Sequence, residues 1–119
     1  MNEYIVEVEG NLDIIKFFTN NIPAIILEIL KEDSNALKIH LHLVEMRDEE
    51  KVSETSILIF ERISNNNVIH IYLDEITDLT SSTTIEYLRS NVQFHETLKQ
   101  GCNVQSLEIK TDQETHKVF

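Results

Sequence analysis

The sequence predicts an α+β fold, an antiparallel sheet of about five or six strands with two short helices packed on it. Three observations carry this expectation. Leu37-Lys38-Ile39-His40-Leu41-His42-Leu43 alternates apolar and polar residues, the mark of a sheet with one buried face. Ile57-Leu58-Ile59-Phe60 and Val68-Ile69-His70-Ile71-Tyr72-Leu73 come after short connections, so the three runs form an antiparallel meander. Segments with helix caps and helical stripes stand on either side of that meander.

At the start of the chain, Tyr4-Ile5-Val6-Glu7-Val8-Glu9 alternates and stops at Gly10, which predicts a strand. Asn11 caps a helix over residues 12–19, with Asp13 favourably placed in its first turn. Ile14, Ile15, Phe17 and Phe18 give that helix a broad apolar face, and Asn20-Asn21-Ile22-Pro23 interrupts it. Residues 24–30 can be read two ways. Their Ala, Leu and Glu favour a helix, whereas the β-branched Ile25, Ile26 and Ile29 favour a strand. The turn signal Glu32-Asp33-Ser34-Asn35 favours the strand, in a hairpin with residues 36–45.

Within the meander, residues 37–46 are expected to pair with 55–63, and 55–63 with 67–74. The unbroken apolar run at Ile57 to Phe60 suggests a central strand covered on both faces. Asn65-Asn66-Asn67 is a turn signal. Thr83-Thr84-Ile85-Glu86 fits a capping box, with Ile85, Leu88 and Val92 on one stripe. Phe94 and Leu98 fall half a turn off that stripe, so the helix should bend or end near Asn91. Gly101 can close the segment beyond that break. Residues 104–109 read as a final edge strand and 111–119 as a loose tail.

Composition bounds the rest. A chain of 119 residues with two glycines and one proline leaves little room for a linker and reads as one domain over 1–119. Cys102 is the single cysteine, which excludes an internal disulfide and suits a reducing compartment. Met1-Asn2-Glu3-Tyr4 lacks the basic region of a secretory signal, and the apolar run at 22–30 is too short to span a bilayer. A cytoplasmic protein is the expectation. Twenty-one acids against ten bases give a net charge of −11. That field repels nucleic-acid backbones and anionic lipid, and it draws basic proteins.

The residues argue against catalysis. Gly10 and Gly101 are isolated, so no phosphate-cradling loop or dinucleotide fingerprint is present. No nucleophile elbow or zinc-protease motif occurs, and Cys102 has no identifiable base. The expectation is a non-enzymatic protein without a cofactor. His40, His42 and His70 should share one sheet face, which opens a reading of a different class: a small ligand- or metal-binding enzyme. A strand between them would place His70 roughly 10 Å from the other two, at ~4.8 Å per strand, too far for one zinc. No bound metal is therefore expected.

The acids form the most informative pattern. Glu45, Asp48, Glu49, Glu50 and Glu54 surround the loop between the first two meander strands, and Asp74, Glu75 and Asp78 come after the third. Antiparallel order puts both groups at the same end of the sheet. Only Arg47 and Lys51 oppose them there. These eight residues are the candidate contact surface for a basic partner protein. No EF-hand spacing accompanies them.

Finally, Phe17-Phe18, Ile22-Pro23-Ala24 and Leu27-Glu28-Ile29, followed by Leu37-Lys38-Ile39-His40-Leu41-His42-Leu43, resemble small β-rich immunity proteins of bacterial polymorphic toxin systems. In that type a helix with aromatics is followed by a proline and a long amphipathic hairpin. The resemblance covers residues 4 to 75 and is a pattern of apolar positions. The segment from Arg47 to Glu54 departs from it by holding neither proline nor tryptophan. The resemblance implies a cytosolic inhibitor that occludes a toxin's active site, and it carries over no functional residue. A phage-encoded inhibitor of a host defence protein is the nearest alternative with the same chemistry.

Overall fold

The computed structural model describes residues 2–63, 67–73, 78–112 and 114–119. Six strands form one sheet in chain order: β1 (Glu3–Gly10), β2 (Lys38–Arg47), β3 (Glu50–Ile63), β4 (Val68–Tyr72), β5 (Ser106–Lys110) and β6 (Thr115–Lys117). The expected meander is present: β2–β3 and β3–β4 are antiparallel. The sheet as a whole is mixed rather than antiparallel, because β1–β2 and β4–β5 pair in parallel.

Parallel neighbours need a long crossover, and helices supply both. Between β1 and β2 lie α1 (Leu12–Thr19) and α2 (Ile22–Glu32). Between β4 and β5 lie α3 (Asp78–Ser90), α4 (Val92–Glu96) and a π-helical turn, Thr97–Gly101. The described residues therefore hold four α-helices where two were expected.

α1 begins and ends where its signals place it. The Asn11 side chain accepts from the Ile14 N–H at 3.1 Å. A Cβ on Gly10 would stand 2.7 Å from Ile14 Cδ1, so the helix enters tightly against the end of β1. The expected strand over residues 24–30, with its hairpin to 36–45, is instead α2. Pro23 sits in the first turn, where a missing N–H is harmless. Ile22, Ile26 and Leu30 recur every fourth residue and are all buried. Burial of that stripe outweighs the modest helix penalty of β-branched side chains.

Both crossovers pack on the same side of the sheet. One core cluster joins Ile22, Ile26 and Leu30 of α2 to Leu88, Phe94 and Leu98 of the second crossover, over Ile39, Leu41, Ile69 and Ile71 of the sheet. The opposite face, which carries His40, His42, Leu58 and His70, is only partly buried. The expectation that Ile57 to Phe60 is covered on both faces is thus corrected. Ile59 is an extra residue in the register, since Ile39 faces Phe60 and His40 faces Leu58. Such a bulge turns two successive side chains inward, and Ile59 and Phe60 are both fully buried.

Other corrections arise in the second crossover. Thr83 lies inside α3 rather than at its cap, and Val92 is 64% exposed. The break near Asn91 is as expected: Asn91 caps α4 through the Phe94 N–H at 3.0 Å. β5 is not the edge, and 111–119 is not loose. β6 pairs with β5, and Val118 and Phe119 exchange backbone bonds with Leu107 at 2.9 and 3.2 Å.

At the end of the sheet away from the β2–β3 turn, Arg62 ties the loops together. Its guanidinium donates to the carbonyls of Ser34, Ala36 and Cys102 at 2.8, 3.2 and 3.2 Å.

Candidate functional site

β2 and β3 continue past the end of β4 as a hairpin arm, with β1 alongside β2 as far as Glu45 and only two strands beyond it. Phe60 faces Ile71, so β4 ends at Tyr72, about level with Ile59. β3 begins nine residues earlier, at Glu50, but β1 accompanies β2 to Glu45, so the free tip is residues 46–51, a reach of roughly 10 Å at about 3.3 Å per residue. Residues 50–56 are all exposed. Arg47 faces Glu50, and Asp48 and Glu49 form the two-residue turn with φ of 53° and 67°. Two left-handed residues make the turn type that suits strand twist, but Asn-Gly is its usual occupant. Here two acids hold it.

The arm's charges are partly matched. Arg47 bonds Glu45 at 3.3 Å, and Lys51 bonds Glu54 at 2.7 Å. His42 Nε2 also meets Glu54, at 2.8 Å. The Lys51 hydrogen bond, then the His42 one, hold the Glu54 carboxyl below its ordinary range, and Glu54 in turn raises Lys51. Both bases are thereby engaged. Asp48, Glu49 and Glu50 at the tip make no ion pair among the described residues.

The structure therefore brings Glu45, Asp48, Glu49, Glu50 and Glu54 together on one projection. Asp74 and Glu75 lie outside the described residues, and Asp78 opens α3. Sequence reasoning missed Asp13. With Asn11 and Leu12 it faces Glu45, Met46, Arg47 and Asp48 across an open cleft of about 470 Å³. The signal is the parallel register, which sets Gly10 beside Glu45 and so brings the start of α1 to the base of the arm. A second cleft of about 260 Å³, lined by Asn20, Asn21, Pro23, Ala24, Thr84 and Tyr87, carries no acidic or basic side chain among the described residues.

The three histidines do share the partly exposed face. His40 faces Leu58 and His70 faces Glu61, so β3 stands between them, as the meander requires. His42 and His70 are held by carboxylates. His70 Nε2 meets Glu108 at 2.9 Å and Nδ1 meets the Tyr72 hydroxyl at 3.3 Å, while that hydroxyl donates to Glu61 at 2.9 Å. Glu61, Tyr72 and Glu108 were not singled out by sequence; their even spacing from His70 along paired strands is the clue that places them. Among the described residues no three His, Cys, Asp or Glu are grouped to hold a metal ion. Cys102 is buried, and burial pushes its thiol pKa up against a smaller opposing pull from Arg62.

No helix among the described residues is long and apolar enough to cross a membrane. No protein-family model matches the chain, and no curated protein or solved structure matches it at a significant level.

Proposed function

We propose that this is a non-enzymatic binding protein that neutralises a basic partner protein, as an immunity protein does a toxin. The observation that carries the reading is the arm: its tip projects roughly 10 Å beyond the end of β1 and presents Asp48, Glu49 and Glu50 with no base bound to them among the described residues. Carboxylates so placed can enter a groove built for phosphate and form charge-assisted pairs with its Arg and Lys. The chain's net charge of −11 adds long-range attraction to the same partner. The reading now rests on charge and projection. The hairpin pattern that suggested immunity proteins is in part absent, because Pro23 opens a helix.

The test uses proteins captured from the native host on the immobilised chain. Each is titrated against wild type and the double variant Glu49→Lys, Glu50→Lys at two salt concentrations. Association should slow in the variant and, for wild type, slow as salt rises, since the screening length is only about 8 Å at physiological ionic strength. His40→Glu, on the sheet face, should bind as wild type does. Salt-independent binding that survives the double reversal would assign the charge to solubility and sink the proposal.

A further inference from the structure

β1 is the terminal strand of the sheet, with β2 on one side and no described residue paired on the other. Its eight residues stay in unbroken register with β2. The Asn2 carbonyl accepts from the Leu37 N–H at 2.7 Å and so faces β2. Backbone direction alternates along a strand, which turns the N–H and C=O groups of Glu3, Ile5, Glu7 and Glu9 outward. The same four residues are exposed, and their side chains lie on the face of Lys38, His40 and His42. Ile5 is 67% exposed, a β-branched side chain left largely uncovered by the described residues.

Exposed edges are usually blunted by a bulge, a proline or charged side chains, lysine above all. β1 has no register break, no proline and no lysine. What β1 carries instead is acid. Pairing with a second copy of itself sets acids opposite acids, because three of the four open-face residues are glutamates, and like charges directly opposite destabilise a sheet. A basic strand meets the opposite condition.

We propose that the outer edge of β1 takes up an extended strand from the basic partner, with basic, apolar, basic and basic side chains opposite Glu3, Ile5, Glu7 and Glu9. This mode of recognition combines main-chain hydrogen bonds with alternate side-chain contacts. It rests on the reading of the chain as a binder of a basic protein and names how that protein is held. The two surfaces are continuous, since Gly10 at the end of β1 is level with Glu45 at the base of the arm.

The probe is a synthetic peptide with Lys, Val, Lys and Lys at alternate positions, separated by threonines. Its control is the same peptide N-methylated on the amides that would face β1. Binding of the first should slow amide exchange at Ile5, Glu7 and Glu9 at least tenfold, with the already paired Val6 and Val8 little changed; N-methylation should weaken affinity by about tenfold or more. Glu7→Pro removes an outward donor, a change that edge strands tolerate, and should abolish binding; Glu7→Gln keeps the donor and should retain part of it. Unchanged protection at Val6 and Val8 certifies that the proline variant is folded. Equal, salt-sensitive binding of both peptides would overturn strand addition while leaving the basic-partner reading intact. If neither peptide binds, strand addition is likewise overturned, and the titration of captured proteins still decides the wider reading.

Discussion

β3 is one strand in two environments. From Ile57 to Phe60 it runs through the body of the sheet, and Ile57, Ile59 and Phe60 are buried against the helices. From Glu50 to Ser56 every residue is exposed, and the only described strand beside it is β2. The body is held by apolar burial. The arm is held by its ladder to β2, a two-residue turn and a few exposed ion pairs. The contrast separates what a strand needs to fold from what it presents to others. The body leaves no choice of side chain, whereas the arm is free to carry acid.

The sharpest way to break this comparison is a pair of alanine substitutions on the same strand. Phe60→Ala should destabilise by about 3–5 kcal/mol, the range for emptying a packed aromatic site. Val52→Ala, at a position 46% exposed, should change stability by no more than about 0.5 kcal/mol. Chemical denaturation of the two variants reads both. Similar losses would mean that the arm is as integral to the core as the body.

A smaller effect is expected at the turn. Asp48 and Glu49 occupy left-handed backbone that disfavours a β-carbon. Replacing the pair by Asn-Gly should raise stability by about 1 kcal/mol and weaken capture of a basic partner. A variant that is more stable yet binds equally well would show that the turn acids are not contact residues.

The smallest effect concerns protons. Glu54 titrates below its ordinary value of 4.5 because Lys51 and then His42 bond its carboxylate. A depressed carboxylate stabilises the fold above its unfolded pKa, and the contribution is lost as pH falls through the folded one. Lys51 has the opposite sign: its raised pKa stabilises below the ordinary value of 10.5 and is lost as pH climbs through the raised one. Both groups are exposed, so solvent screens them and the readout is the midpoint rather than stability. In an NMR titration of side-chain carboxyls, Lys51→Met should move the Glu54 midpoint up toward 4.5. No movement would mean that the bond is not populated in solution.

How much was legible depends on how local each cause is. The body's meander could be read from alternation, and the five hairpin acids could be read as one group because they sit within ten residues of chain. Asp13 could not, because it joins them only through the pairing of β1 with β2. The edge of β1 was equally hidden. Its alternating pattern was visible, but no residue within it says that a neighbour will lie on one side only.

The sequence by itself determined the elements whose signals are short-range. Asn11 and the Asn20-Asn21 interruption bound α1, alternation marks β2, and Asn91 divides the last helices. Tertiary structure decided residues 22–32. Their isoleucines satisfy a strand or a helix about equally in isolation. The choice fell to the helix because β1 and β2 pair in parallel. A parallel pair cannot be closed by a tight turn, so the connection must cross over the sheet, and a helix crossing there can bury Ile22, Ile26 and Leu30 together.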